Sequence, residues 1–278
     1  MKELFDRVSR KTSKNITNTY STSFSLGIYF LSSRFHRPVN GIYGFVRLAD
    51  EIVDSFHGYD KAYLLQKLRL DVREAIDQRI SLNPVLNSFQ QAVNDYHIEW
   101  ELIACFLKSM EMDLSRTKHN RSTYEDYILG SAEVVGLMCL RVFTEGDQEL
   151  YERLKPAAKK LGAAFQKVNF LRDVQADFED LGRTYFPGIN MQTFRMEDKL
   201  RIEQEIAADF REALEGIRRL PGGARKGVYL AYFYYQRLFQ KIKKLQANQI
   251  LKERIRIPNG QKFGLMLHSL VRHQLNLL

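Results

Sequence analysis

Two short segments of the chain carry aspartate pairs whose spacing suits a divalent cation. Asp50 and Asp54 lie in the sequence Arg-Leu-Ala-Asp-Glu-Ile-Val-Asp, and Asp173 and Asp177 lie in Arg-Asp-Val-Gln-Ala-Asp. Residues four apart on a helix project from one face, about a turn apart. Neither pair has a Lys or Arg between its members to relieve the repulsion. Mg²⁺, which takes oxygen ligands and completes its shell with water and phosphate, would relieve it.

An arginine lies just upstream of each pair, Arg47 before the first and Arg172 before the second. The planar guanidinium of arginine forms forked hydrogen bonds with phosphate oxygens. The two segments together are therefore consistent with a site for Mg²⁺ and phosphate. A single Asp-x-x-x-Asp on a helix is usually a solvated surface. Two copies with matched arginines leave a functional site and a solvated surface equally favoured on spacing alone.

Other arrangements that carry chemistry are absent from the sequence. The six histidines have no spacing typical of a zinc site, and no glycine-rich loop of a nucleotide-binding enzyme occurs. The hydroxyl-rich segment 20–25 lacks the glycines of a serine nucleophile elbow. Capping of a helix explains those hydroxyls better than phosphate binding, although both interpretations fit.

The elements that hold these residues are predicted to be helices. Apolar residues recur at helical spacing, and proline and glycine are few. One predicted stripe consists of Leu64, Leu65, Leu68 and Val72, and another of Leu102, Phe106, Met110 and Leu114. We expect an all-α fold in one domain spanning 1–278, with about eight helical segments. Breaks are predicted from turn residues at 37–38, 57–60, 83–84, 145–147, 186–188, 221–223 and 258–260.

Composition and charge narrow the class of protein further. The 278 residues are 45% apolar, with a formal net charge of +9 and two cysteines in apolar surroundings. The N-terminus has no apolar stretch of signal-peptide length, and no run approaches the length of a membrane span, so we expect a cytoplasmic protein. From Lys241 onward there are eight basic residues and one acidic residue, a net +7. This charge predicts an anionic partner for the tail, either nucleic acid, an acidic membrane surface or a phosphorylated substrate.

Several longer motifs, in order, resemble the squalene/phytoene synthase family of head-to-head prenyl synthases. The resemblance covers most of the chain and includes a hydroxyl-rich opening segment, two aspartate-rich motifs, a mid-chain glycine motif and an Arg-x-Tyr-Phe-Pro segment. These motifs occur here at 20–24, 42–54, 132–136, 166–177 and 183–187.

The resemblance implies a fold and a reaction. The fold would be a single all-α domain around a central cavity, with the two aspartate motifs facing each other across its mouth. Two allylic prenyl diphosphates would condense to a cyclopropyl diphosphate, which ionises again and loses a proton. We expect geranylgeranyl diphosphate as the substrate and phytoene, a carotenoid precursor, as the product. The alternative is a squalene or dehydrosqualene synthase that uses farnesyl diphosphate.

The family motifs also imply roles for individual residues. Mg²⁺, with Mn²⁺ as an alternative, would be held by Asp50, Asp54, Asn169, Asp173 and Asp177, of which the four aspartates are the catalytic residues. NADPH is expected only for a squalene synthase. Substrate-binding residues would be Tyr20, Ser21, Ser23, Tyr43, Arg47, Gln166, Arg172, Arg183 and Tyr185.

Three positions depart from the family pattern. Leu129 stands where many members have a tyrosine, so that hydroxyl is missing unless Tyr127 replaces it. Glu133 replaces a glycine, and Gln249 stands where some synthases of thirty-carbon products have tyrosine.

An alternative of another class is a non-catalytic helical adaptor that docks through its basic tail. For the enzyme we expect peripheral contact with an anionic membrane and no nucleic acid partner. The sequence gives no indication of the oligomeric state.

Overall fold

The computed structural model describes residues 1–115, 119–179, 184–189, 193–251 and 255, without the side chains of 176–179. Within these residues the chain forms α-helices and no β-strand, which confirms the expected all-α class. A π-helical segment, Leu129–Glu133, joins the helices Arg121–Ile128 and Val134–Thr144. The helices are α1 Lys2–Tyr20, α2 Thr22–Tyr29, α3 Ser33–Asp54, α4 Lys61–Gln78, α5 Pro84–Asp95, α6 Trp100–Ser115, α7 Arg121–Ile128, α8 Val134–Thr144, α9 Gln148–Glu179, α10 Met196–Arg219, α11 Gly222–Lys243 and α12 Ala247–Ile250.

Helix starts follow local capping chemistry. The Asp60 side chain accepts a 2.9 Å hydrogen bond from the backbone N–H of Tyr63 at the start of α4. Asn83 accepts one of 2.9 Å from Val85 at the start of α5, where Pro84 occupies the first helical position. Such caps satisfy backbone donors that have no partner within the helix, and proline at the first position removes one of them. The predicted breaks at 57–60, 145–147 and 186–188 fall between helices, and those at 83–84 and 221–223 coincide with the starts of α5 and α11.

The expected break at 37–38 is wrong, because Pro38 lies inside α3. A proline near a helix start removes one hydrogen bond, and here the buried ring begins a buried stretch of α3 that continues through Val39 and Ile42. The expected number of about eight helices is too low. One boundary that was missed, at Ser21 between α1 and α2, contains neither glycine nor proline, which are residues that signal a break. The predicted break at 258–260 lies outside the described residues.

The core lies between α3 and the helices around it. Phe45 of α3 is fully buried and stacks on Phe89 of α5 with 4.1 Å between ring centroids. The ring of Phe106 of α6 contacts the ring of Phe45 edge-on, with 5.3 Å between ring centroids. Each fully buried side chain of this size stabilises the fold by about 1.5 to 3 kcal/mol. The two predicted apolar stripes are confirmed in part, because Leu65, Leu68 and Val72 of α4 and Phe106 and Met110 of α6 are buried.

One described stretch, Arg121–Thr144, has the length and hydropathy of a membrane-spanning helix. Just over half of its most apolar window, 56%, is buried inside the fold. Core helices pass the same criteria, so this stretch is weak support for a membrane span.

Candidate active site

A cavity of about 610 Å³ lies between the helices. The long helix α9 contributes one of its faces along most of its length. The lining positions recur every three to four residues, as expected for one side of a helix, at Leu154, Ala157, Ala158, Leu161, Gly162, Phe165, Gln166, Asn169, Phe170, Arg172 and Asp173. From Leu154 to Asp173 the helix rises about 28 Å, so the cavity is long.

The interior of the cavity is apolar, and small residues line it where the enclosing helices approach one another. Gly27 of α2, Gly216 of α10 and Gly227 of α11 line it together with Ala157 of α9. A Cβ added at Gly216 would clash with Ala157, and one added at Gly227 with the carbonyl oxygen of Gly27, so these small residues let the helices around the cavity pack closely. Aromatic rings complete the wall, as where Phe165 stacks on Tyr235 with 4.0 Å between centroids.

Most of the predicted site residues come together along this cavity. Both aspartate segments contribute to one lining, so the two acidic faces are brought into one site as the family resemblance implied. The predicted residues that line the cavity are Tyr20, Ser21, Tyr43, Arg47, Asp50, Asp54, Gln166, Asn169, Arg172, Asp173 and Tyr185.

Three predicted residues stand apart from this set. Ser23 lies in the first turn of α2 and is not among the lining residues. Asp177 lies on the last turn of α9, and its side chain is outside the described part of the structure. Arg183 lies outside the described residues altogether. The roles expected of these three residues therefore remain predictions.

The first aspartate pair lies in an environment that disfavours its charge. Burial raises the pKa of Asp50 to about 7, and the negative charges of Asp54 and Asp113 act in the same direction. Arg47 opposes this shift but does not cancel it. A desolvated carboxylate beside like charges gains free energy when a cation binds it. This environment fits a cation-binding site better than a solvated surface.

Arg47 is held in place by two neighbouring side chains, and one of its N–H donors has no hydrogen-bond partner within the described structure. Its guanidinium pairs with Glu51 one turn along α3 and lies over the ring of Tyr20, with 4.3 Å from Cζ to the ring centroid. The buried Nε has no hydrogen-bond partner within the described structure. A buried N–H without a partner costs about 1 to 3 kcal/mol. An anionic ligand in the cavity would satisfy this donor.

The second segment is ordered by its neighbours in the same way. Arg172 Nε donates to both carboxylate oxygens of Asp173, at 3.0 and 3.1 Å. Tyr235 of α11 donates a 3.2 Å hydrogen bond to Asn169 Oδ1. Asn169 is thereby held one helical turn before Asp173, with its amide oxygen oriented by a buried phenol.

The hydroxyl-rich segment has a structural role and also reaches the cavity. Ser21 caps α2 by accepting a 3.2 Å hydrogen bond from the backbone N–H of Phe24, as the capping interpretation expected. Ser21 also lines the cavity beside Tyr43 of α3, and burial raises the pKa of Tyr43 to about 12. Tyr43 is therefore a neutral hydrogen-bond donor at physiological pH.

The donor set fits Mg²⁺ shared with a diphosphate. Within the described residues no three His, Cys, Asp or Glu side chains lie close enough together to hold a metal ion by themselves. Mg²⁺ typically uses one or two carboxylates and takes its remaining ligands from water and substrate phosphates. Asp50 and Asp54 on one helix and Asp173 with Asn169 on another supply oxygen ligands of this kind.

Several cavity residues were not among the predicted site residues. Asp113 of α6 lines the cavity and accepts a 2.8 Å hydrogen bond from Tyr127. A signal for Asp113 existed, because it lies three residues after Met110 and so on the apolar face of α6. Phe165 and Tyr235 carried no such signal, since aromatic residues on apolar faces are usually core.

Comparisons with known proteins agree with this geometry. A sequence profile described as squalene/phytoene synthase matches residues 17–261. The chain is 26% identical over 275 residues to phytoene synthase of Rhodobacter capsulatus, covering 92% of this chain and 79% of that one. It is 27% identical over 201 residues to 4,4'-diapophytoene synthase of Staphylococcus haemolyticus, covering 70% and 67%. A crystal structure of a dehydrosqualene synthase superposes with a TM-score of 0.82 at 20% identity, covering 97% and 98%.

Proposed function

The chain belongs to the squalene/phytoene synthase family, and we propose that it joins two geranylgeranyl diphosphates head to head to form phytoene. The coarser part of this statement, a prenyltransferase that condenses prenyl diphosphates, follows from family membership. The choice of twenty-carbon substrates is the proposal. Phytoene synthase of Rhodobacter capsulatus aligns with 92% of this chain, which supports that choice.

The observation that carries the proposal is the shape of the cavity. Its lining runs about 28 Å along α9 from Asp173 to Leu154, and its apolar part is enclosed by helices that meet at small residues. A cavity of this length admits a twenty-carbon prenyl chain, and the product assay below distinguishes it from the shorter farnesyl chain. A polar end with paired aspartates and arginines then meets the diphosphates while the apolar part receives the hydrocarbon.

The proposed cofactor is Mg²⁺, with Mn²⁺ as an alternative. Asp50, Asp54, Asn169 and Asp173 would hold it, together with Asp177. When bound, the ion neutralises the diphosphates and stabilises the negative charge of the leaving group. NADPH is not required, because the proposed reaction ends with loss of a proton and not with a hydride transfer.

The chain's own residues bind the diphosphates and shield the reacting carbons. The unpartnered Nε of Arg47 would donate to a phosphate oxygen, and Arg172, held by Asp173, adds a second fixed positive charge. Tyr43 donates a hydrogen bond from a neutral phenol. The wall of Phe165 and Tyr235 excludes water from the allylic cation and presents aromatic faces that stabilise it.

The test is a product assay with two substrates. Purified protein is incubated with Mg²⁺ and either geranylgeranyl or farnesyl diphosphate, and the extracted hydrocarbons are identified by mass spectrometry. Phytoene from the first substrate, at a rate well above any product from the second, is the expected result. A thirty-carbon product alone would reassign the substrate to farnesyl diphosphate, and an NADPH requirement would indicate squalene. Absence of any hydrocarbon or cyclopropyl diphosphate would overturn the synthase function and favour the adaptor alternative.

We also propose that the protein is cytoplasmic and contacts an anionic membrane with its basic end. The exposed lysines 241, 243 and 244 lie at the end of α11, where a net +7 tail begins. Juxtaposed lysines near an anionic lipid surface contribute about 1 kcal/mol each to binding. A bilayer also accepts the long hydrocarbon product. No nucleic acid partner is proposed.

A further inference from the structure

A carboxylate and a phenol outside both aspartate segments meet at the wall of the cavity. The hydroxyl of Tyr127, from α7, donates a 2.8 Å hydrogen bond to Asp113 Oδ2, from α6. Both side chains line the cavity, and Tyr127 is only 4% exposed. Leu129, two residues later, is not among the lining residues. Tyr127 is therefore the phenol that this part of the chain presents to the cavity.

The pair lies against an aromatic wall. The ring of Tyr127 is 5.9 Å from that of Phe170 and 5.3 Å from that of Tyr185. Phe170 and Tyr185 in turn stack on each other at 4.1 Å. Faces of aromatic rings attract cations, so this wall is suited to a carbocation. Asp113 adjoins the wall through its hydrogen bond to Tyr127.

The proposed reaction needs a base at this place, and this argument rests on the proposed function. Its last step converts a carbocation into an alkene by loss of a proton. Both diphosphates have left the hydrocarbon by then, and the two bases in the cavity are the released pyrophosphate and a carboxylate fixed to the cavity wall. Asp50, Asp54 and Asp173 are proposed to be engaged by the metal ion. Asp113 comes from a different helix, and the hydrogen bond from Tyr127 fixes the direction of its carboxylate.

We propose that Asp113 accepts the proton of the last step and that Tyr127 positions it. A C–H bond next to the cationic carbon breaks, and its electron pair becomes the second bond of the new alkene. The proton moves to a carboxylate oxygen of Asp113. Cation and carboxylate thus become a neutral alkene and a neutral acid, and no oxidant or reductant is consumed. Tyr127 holds the carboxylate against the wall of Phe170 and Tyr185.

A single-turnover experiment tests the base. Radiolabelled geranylgeranyl diphosphate and Mg²⁺ are mixed with excess wild type, Asp113→Asn or Asp113→Glu, and cyclopropyl diphosphate and hydrocarbon are separated over time. For Asp113→Asn we expect the cyclopropyl diphosphate to form and accumulate, while hydrocarbon formation slows about 100-fold or more. Asp113→Glu should restore part of this loss. The control is Asp126→Asn, which alters an exposed carboxylate of α7 and should leave both steps unchanged.

Two results would overturn the inference. One is an unchanged ratio of the two products in Asp113→Asn, and the other is a loss of cyclopropyl diphosphate equal to the loss of hydrocarbon. Tyr127→Phe distinguishes positioning from mere support of the fold. Tyr127→Phe should lower the ratio of hydrocarbon to cyclopropyl diphosphate. The midpoint of urea unfolding is measured on the same variant, to show whether the fold is destabilised as well. If wild type itself forms no cyclopropyl diphosphate, the proposed function fails, which is a different outcome from either of these.

Discussion

Lys167 of α9 donates a 2.7 Å hydrogen bond to Asp209 of α10, and the two form a buried ion pair. Lys160, two turns earlier on α9, reaches the other oxygen of Asp209 at 3.1 Å. Lys167 does not line the cavity, whereas its neighbours Gln166 and Asn169 do. One aspartate of α10 thus fixes the rotation of α9 and holds its polar site residues toward the cavity.

Asp209→Asn should destabilise the protein strongly. The substitution removes the carboxylate that Lys160 and Lys167 share. Removing one partner of a buried ion pair in which one lysine is partly solvated lowers the free energy of unfolding by about 2 to 4 kcal/mol. Urea unfolding measures the change. Glu212→Gln is the matched control, because Glu212 is exposed and only 3.7 Å from the same Lys160, and it should change stability by less than about 0.5 kcal/mol. Equal effects of the two variants would contradict the role of Asp209 in holding α9.

Asp50→Asn should abolish turnover yet stabilise the metal-free protein above neutral pH. The pKa of Asp50 is raised to about 7 in the folded state, so between about pH 4 and pH 7 the folded state binds more protons than the unfolded state. The free energy of unfolding of wild type therefore falls as the pH rises through this window. Asn carries no such charge, and the variant should gain about 1 to 3 kcal/mol over wild type at pH 8, after allowance for partial exposure.

The measurement is urea unfolding at pH 5 and pH 8 in the presence of a chelator. The advantage of Asp50→Asn should be small at pH 5 and full at pH 8. Asp126→Asn, on an exposed surface, should follow wild type at both values. An advantage that does not grow with pH would show that the environment of Asp50 does not disfavour its charge.

Mg²⁺ and diphosphate should bind together and not separately. Within the described residues the chain offers no cluster of three metal-binding side chains, so Mg²⁺ alone should barely shift the midpoint of thermal unfolding. Mg²⁺ with inorganic pyrophosphate should stabilise by about 2.7 kcal/mol when present at about 100 times the dissociation constant. A chelator should remove this shift and stop turnover, and Asp173→Asn should weaken both. An equal shift with Mg²⁺ alone would indicate a complete metal site in the protein.

Gly227 of α11 should resist substitution because α2 approaches it closely. An added Cβ would clash with the carbonyl oxygen of Gly27 and lie 2.5 Å from Leu31 Cδ2. Gly227→Ala should cost about 1 to 3 kcal/mol through this overpacking. Gly222→Ala, at the first position of the same helix with no neighbour within 4 Å, should be neutral or stabilise by up to about 1 kcal/mol. A neutral Gly227→Ala would mean that α2 and α11 separate easily.

Local features of the site follow from the sequence, and long-range ones do not. Helical spacing alone places Asp50 and Asp54 on one face, because the geometry of a single helix decides it. The placement of Asp50 and Asp173 in one cavity lining depends on how α3 and α9 are arranged around the cavity, which spacing cannot give and which only the family motifs implied. Asp113 could have been recognised as a charged residue on an apolar face. The continuation of α3 through Pro38 could not, because burial of the ring in the tertiary fold offsets a local penalty.

The basic end of the protein should bind anionic membranes in a salt-dependent manner. Vesicles with and without anionic lipid are sedimented with wild type or with the triple variant Lys241→Gln, Lys243→Gln and Lys244→Gln. Because each lysine contributes about 1 kcal/mol near an anionic surface, the variant should bind about 100-fold more weakly, and high salt should release wild type. The control replaces three exposed lysines elsewhere, Lys11, Lys14 and Lys108, and should retain binding. Equal loss in both variants would assign the attraction to net charge, and binding to neutral vesicles would assign it to apolar contact.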